Sequence, residues 1–316
     1  MSFLALLRNS PCCTLPCGVE PFPPCHASPP QHVWRSFDGT ELPFTFALPD
    51  TGVPKGIVLI VPGTDSVTSD YASVIEEVLR HGYGVYGCEN RTFRYGPEHS
   101  RGDARNWQPW VEDLRGFSRF VHQRHPGVPI FWHGHSFGGV QILQTAADSE
   151  AEDLPAGLIV HSPGFGLMFR QATFLRGLSY GIFAWLRVPW TRLIEVADLP
   201  MSDDPVFDCR WKHSDDRVRE GIKVRYFIQA ANMGIAARNS SPHLKLPVLA
   251  LWGGRDRQGL GGNEKLRAEY NHYMQHELAG GRAALFYREQ ALHLLTEGST
   301  KQDALTAIIG WLAALS

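Results

Sequence analysis

Ser136 sits in Gly134-His135-Ser136-Phe137-Gly138, directly after the run Ile130-Phe131-Trp132-His133 and directly before a stretch of small residues reaching about Ala147. A serine hydroxyl is a poor nucleophile at neutral pH. It becomes a useful one when an imidazole takes its proton during attack and returns it to the leaving group. G-x-S-x-G at a strand–turn–helix junction exposes such a serine. The turn is sharp, the flanking glycines let neighbouring backbones pass closely, and the helix that follows presents its positive end. The bland alternative is a serine in a glycine-rich turn, since the five-residue pattern also arises by chance. Its place after an apolar strand weighs against that.

Where this elbow occurs, the acid and the base follow in the order Ser, Asp or Glu, His, each just after a strand. Pro247–Trp252 reads as a buried strand and ends in Gly253-Gly254-Arg255-Asp256. Ala283–Tyr287 reads as the last strand, and His293 lies in the loop after it. Asp256 is therefore the expected acid and His293 the expected base, both at strand ends that face the crevice of an open α/β sheet. An aspartate there would fix the imidazole tautomer and stabilise the imidazolium. His272 and His276 also follow Asp256, but they fall inside a predicted helix, Asn263–Leu278, and are expected to face solvent. His133, His135 and His161 end strands and read as packed core residues. Asp198, Asp203, Asp204, Asp208, Asp215 and Asp216 fall outside the strand–helix alternation.

These residues need a scaffold, and the hydrophobic pattern supplies one. Val33–Phe37 and Leu42–Leu48 read as two strands joined at Asp38-Gly39, a hairpin signal. Gly56–Val61 is continuously apolar, as in a strand covered on both faces. Tyr71, Val74, Ile75, Val78 and Leu79 mark one helix face, and Val85–Cys88 the next strand. A helix through Trp107, Trp110, Val111, Leu114 and Phe117 precedes the strand Pro129–His133. Gly157–His161 is another strand. Leu305, Ile308, Ile309 and Leu312 give a closing helix. Alternating strands and helices imply an α/β fold with a mostly parallel, eight-stranded sheet flanked by helices. Residues 165–229 break the alternation and carry many aromatic and aliphatic side chains, among them Phe165, Phe169, Trp185 and Trp190. They read as a helical lid inserted between a first core part, 31–164, and a second, 230–316.

Composition narrows the function. The 316 residues are 43% hydrophobic and 20% charged, with a formal net charge of −2. That is an ordinary globular balance with no basic field to hold nucleic acid. No apolar run approaches the roughly 18 residues needed to span a bilayer. The apolar run Phe3–Leu7 is shorter than the roughly 7–15 residues of a signal-peptide core, so the expected location is cytoplasmic. Cys12, Cys13, Cys17, Cys25 and His26 crowd the N-terminal segment. A zinc knot, a disulfide staple and a lipid anchor are the functional readings. Seven prolines in the same segment, from Pro11 to Pro30, favour a disordered tail over residues 1–30.

With these residues in place, the chain resembles the monoacylglycerol lipase/lysophospholipase branch of the α/β-hydrolases, also called serine aminopeptidase S33-like. The resemblance runs from His32 to the C-terminus. It rests on Asp38-Gly39, Tyr71, Val128-Pro129, the GHSFGG elbow, Ser214-Asp215, Gly221-Ile222-Lys223-Val224, Leu246-Pro247-Val248, Gly254-Arg255-Asp256 and Ala291-Leu292-His293. It implies hydrolysis of carboxylic esters, of monoacylglycerol or lysophospholipid type, through an acyl-enzyme on Ser136. No metal or organic cofactor is implied. It further implies an oxyanion hole made by the backbone N–H groups of Thr64 and Phe137, and peripheral membrane contact through the lid. Two features depart from the branch. Pro62-Gly63 stands where His-Gly is usual, which removes a donor at 62 but not at 64. The D-x-x-G-H-G-x-S segment is degraded in Cys88–Gly102, with Glu89 where the aspartate would stand. Thioesterase, amidase and acyltransferase chemistry would use the same triad, and a binding protein that had lost activity would keep the same fold.

Overall fold

The computed structural model describes residues 32–50, 52–164, 200–213, 222–257 and 264–316. The expected tail, 1–30, and most of the expected lid lie outside the described residues.

Eight strands form one sheet in the order β1-β2-β4-β3-β5-β6-β7-β8. They are β1 His32–Arg35, β2 Glu41–Ala47, β3 Ile57–Val61, β4 Gly84–Cys88, β5 Ile130–His135, β6 Gly157–His161, β7 Val248–Gly253 and β8 Ala284–Arg288. β1 pairs antiparallel with β2, and β2 antiparallel with β4. From β4 through β8 every pairing is parallel. The β1–β2 hairpin turns at Gly39, whose φ of 82° lies in the left-handed region that glycine reaches without strain. The strand ends differ from the sequence expectation by a residue or two, as boundaries do when pairing rather than composition sets them.

Helices cover both faces. They are α1 Ala72–Arg80, α2 Gln108–Arg124, α3 Phe137–Ala147, α4 Pro205–His213, α5 Val224–Ser240, α6 Glu264–His272 and α7 Lys301–Ala313. The period-2 alternation of β3 explains why both faces are needed. Ile57, Leu59 and Val61 join a core with Trp110, Phe117 and Phe137, from α2 and α3. Val58 and Ile60 join a second core with Val74 and Ile308, from α1 and α7. A strand apolar on both sides is stable only between two helical layers.

Two expectations need correcting in detail. The helix expected over Asn263–Leu278 is α-helical only to His272, then continues as a π-helical turn over Tyr273–Glu277. The boundary drawn at 229/230 falls inside α5, which runs unbroken from Val224 to Ser240. The reason is packing: Tyr226, before the boundary, is as buried as Ala230, Met233 and Ala237 after it.

Candidate active site

Ser136 occupies the turn between β5 and α3 with φ 54° and ψ −117°. A non-glycine residue in this region costs on the order of 1–3 kcal/mol and must be held there by its surroundings. Three backbone bonds do so. Ser136 N–H donates to the His161 carbonyl at 2.9 Å, and its own carbonyl accepts from Gly164 at 2.9 Å and Val140 at 3.3 Å. The flanking glycines are required by close approach. A Cβ at Gly134 would stand 2.3 Å from the Gly138 carbonyl oxygen, and one at Gly138 would stand 2.0 Å from that of Val61.

The loops that follow β7 and β8 touch along their backbones. A Cβ at Gly253 would lie 2.3 Å from the Ala291 carbonyl oxygen, so β7 must end in a residue without one. Arg255 N–H donates to Ala291 at 3.0 Å, and Gly254 N–H to Arg288 at 3.0 Å. This clasp sets Asp256 Oδ2 at 2.7 Å from His293 Nδ1, with Asp256 3% exposed and His293 2%. A carboxylate can only accept, so Nδ1 carries the proton and Nε2 of the neutral ring is left as the proton acceptor. The His293 ring is 4.7 Å from that of His135, the residue before Ser136.

The rival residues are otherwise engaged. His272 is exposed and lies 3.7 Å from Glu277, and His276 is exposed beside it. Asp203 accepts from Ser299 N–H at 2.9 Å, Asp204 from Val206 N–H at 2.8 Å, and Asp208 from Met201 N–H at 2.9 Å. Asp198, Asp215 and Asp216 lie outside the described residues.

The strand-end histidines form a buried set whose tautomers follow from their partners. His135 Nε2 lies 3.3 Å from the His293 carbonyl, so it donates. Its Nδ1 therefore accepts from the Tyr71 hydroxyl at 2.9 Å, and that hydroxyl accepts from Gly63 N–H at 2.9 Å. Gly63 and His293 are thus joined through two side chains. His161 Nε2 accepts from Leu295 N–H at 3.0 Å, which aims its protonated Nδ1 at His133 Nε2, 3.4 Å away. Burial holds His135 and His161 far below the ordinary histidine range and His133 at about 4, so all three stay neutral. The sequence read these rings as core, which they are. It missed that His135 braces both loops, and the only signal was its place next to Ser136.

The loop after β3 explains why Thr64 is the residue to watch. Pro62 has no N–H, and that of Gly63 is taken by Tyr71. Thr64 offers the next backbone donor, and a Cβ at Gly63 would lie only 3.1 Å from that of Ser136. Phe137 opens α3, where the first N–H groups have no partner within the helix. The Thr64 hydroxyl lies 2.8 Å from that of Tyr226, and the Tyr226 ring packs 5.6 Å from that of Phe137. Tyr226 was not singled out in the sequence, because the motif Gly221-Ile222-Lys223-Val224 stops at the first residue of α5.

The departures noted in Cys88–Gly102 are built into the scaffold. Glu89 is buried, accepts from Thr68 N–H at 3.1 Å, and is raised by burial to about 7. At the segment's end the Gly102 carbonyl accepts from Lys223 N–H at 2.8 Å, and Asp103 accepts from Arg225 Nε at 2.8 Å. Among the described residues no helix is long and apolar enough to cross a membrane. Among them, too, no three His, Cys, Asp or Glu side chains group to hold a metal ion.

A family model described as serine aminopeptidase, S33, matches residues 52–279. Monoglyceride lipase of Homo sapiens is 27% identical over 216 residues, covering 66% of this chain and 67% of that protein. Monoglyceride lipase of Rattus norvegicus is 25% identical over 211 residues, with the same coverage of each. Among solved structures, a monoacylglycerol lipase of Paleococcus ferrophilus superposes with a TM-score of 0.64 at 21% identity, covering 87% of this chain and 100% of that one. A soluble variant of monoglyceride lipase from Saccharomyces cerevisiae superposes with a TM-score of 0.68 at 15% identity, covering 94% and 98%. At these identities the structural likeness is one of fold.

Proposed function

The chain belongs to the serine aminopeptidase S33 family of α/β-hydrolases, and from that premise we propose that it hydrolyses carboxylic esters of lipid type by two-step acyl transfer at Ser136. The observation that carries the reading is the buried Asp256–His293 pair at 2.7 Å, with the His293 ring 4.7 Å from that of His135, the neighbour of Ser136 in the strained elbow. Ser136 attacks the ester carbonyl while His293 Nε2 takes its proton. Asp256 keeps the imidazole in that tautomer and stabilises the imidazolium. The N–H groups of Thr64 and Phe137 receive the oxyanion, a contribution of about 3–4 kcal/mol per donor in a comparable site. His293 then protonates the leaving alcohol, and water activated by the same ring frees the acid. The residues named need no metal or organic cofactor for these steps.

The substrate class proposed is a monoacylglycerol or lysophospholipid, in keeping with the monoglyceride lipases to which the chain is similar. The insertion that follows β6 and ends before α5 is assigned the role of a lid that meets the lipid surface, because it leaves at the carboxyl end of β6, the strand beside β5. The test is fatty-acid release from a monooleoylglycerol and a lysophosphatidylcholine by wild type and Ser136→Ala. Release by wild type, lost by several orders of magnitude in the variant, supports the proposal. Turnover of soluble short esters alone would retain the serine chemistry and remove the lipid.

A further inference from the structure

The steps above use neither the Thr64 hydroxyl nor that of Tyr226, although the two lie 2.8 Å apart at the site. Tyr226 is fully buried and Thr64 is half-buried. Burial pushes the Tyr226 hydroxyl well above the ordinary tyrosine range, so it remains a protonated phenol. A phenol is a far better hydrogen-bond donor than an aliphatic alcohol. Either hydroxyl could donate across this contact; with the stronger donor, Tyr226, donating to Thr64 Oγ1, the Thr64 proton is left for another acceptor.

The surroundings say which acceptor. Thr64 follows Gly63, whose Cβ position lies 3.1 Å from Ser136 Cβ. The Tyr226 ring leans on Phe137 at 5.6 Å, on Trp110 at 5.5 Å and on Phe93 at 5.1 Å. One side chain from α5 thus touches both residues assigned to the oxyanion hole, with its hydroxyl on Thr64 and its ring on Phe137. We propose that the Thr64 hydroxyl is a third oxyanion donor and that Tyr226 is the positioning residue that aims it. This rests on the oxyanion assignment made above. A preset donor lowers the barrier because it does not reorganise as charge develops. Two features preset this one. The Thr64 side chain is β-branched and stiff at χ1. Tyr226 is locked among three aromatic rings, on an arm tied down by Asp103.

The experiment compares Thr64→Val, Thr64→Ser, Tyr226→Phe and the double variant Thr64→Val/Tyr226→Phe on a p-nitrophenyl ester, reading kcat and KM separately, with melting curves alongside. Thr64→Val keeps shape and backbone N–H but removes the hydroxyl, and kcat is expected to fall about 10–100-fold with KM changed less than about twofold. Thr64→Ser is expected to restore most of kcat. Tyr226→Phe is expected to lower kcat about 3–10-fold, and to add nothing in the Thr64→Val background, since it acts only through that hydroxyl. The double variant also removes the phenol that Thr64→Val leaves buried without a partner, so a folding defect is separable from a catalytic one. A kcat within about twofold of wild type for Thr64→Val overturns the proposal, as does a Tyr226→Phe loss of equal size in both backgrounds. Ser136→Ala separates the failures. If it stays active, the whole site assignment falls; if it is dead while Thr64→Val is unimpaired, only the third donor falls.

Discussion

Ser136, Asp256 and His293 stand out as candidates because each leaves a local mark: a glycine-flanked elbow, and polar residues just past apolar strands. The roles predict a sharp contrast among histidines. His293→Ala should lower kcat by several orders of magnitude, while His272→Ala and His276→Ala, both exposed, should stay within about twofold of wild type. Assay of the three variants on one soluble ester checks this. The contacts of Tyr71, His135 and Tyr226 were illegible, because they join residues far apart in the chain and leave no spacing to read. Glu89 carries a different prediction. Burial raises its folded-state value to about 7 from 4.5. The folded state therefore holds a proton that the unfolded chain has released between those values. Its stabilising contribution is complete below about pH 4.5 and is lost as pH rises through about 7. Glu89→Gln should then be near neutral at pH 5 and more stable than wild type at pH 8, by on the order of 1–3 kcal/mol. Denaturant melts at both pH values measure it, and an unchanged pH slope in the variant would refute it.

At the scale of elements, the strands and most helices were legible because each has one period and one or two apolar faces. α3 runs over Phe137–Ala147, as its small residues suggested. α5 was split by the sequence reading because the insertion has no repeating pattern to mark where it ends. The structure ties the start of α5 to the segment after β4 through Asp103, which pairs with Arg225 and with Lys223 at 3.3 Å. The Arg225 bond holds the Asp103 carboxyl below the usual aspartate range. Its contribution is therefore present above the unfolded value and fades as pH falls through the folded one. Arg225 and Lys223 are half exposed, which screens the pair. Asp103→Asn should cost about 1 kcal/mol at pH 7 and progressively less as the solution is acidified below the ordinary aspartate range. Because Tyr226 rides on the same helix end, kcat should also fall several-fold. A stability loss with unchanged kcat would show that this tether does not reach the site.

For the whole molecule, a sheet covered on both faces leaves its carboxyl ends as the place where Ser136, Asp256, His293 and Thr64 can meet. That architecture was legible because β3, β5, β6 and β7 are apolar on both sides, which admits few other arrangements. What covers the carboxyl ends was not legible in the same way, since aromatic residues without a period suit a lid, a small core or an interface alike. The lid assignment predicts a dependence on acyl length. Each methylene buried contributes about 0.8 kcal/mol. If that binding carries into the transition state, kcat/KM on p-nitrophenyl esters from acetate to palmitate should rise several-fold per added carbon pair before levelling. A flat series, or a preference for acetate, would remove the acyl-binding role given to the lid. The central claim is the nucleophile, and covalent labelling tests it most directly. A fluorophosphonate probe, followed by peptide mass spectrometry, should place its adduct on Ser136 in wild type and give none in Ser136→Ala. An adduct on another serine, or equal labelling of the variant, would contradict it.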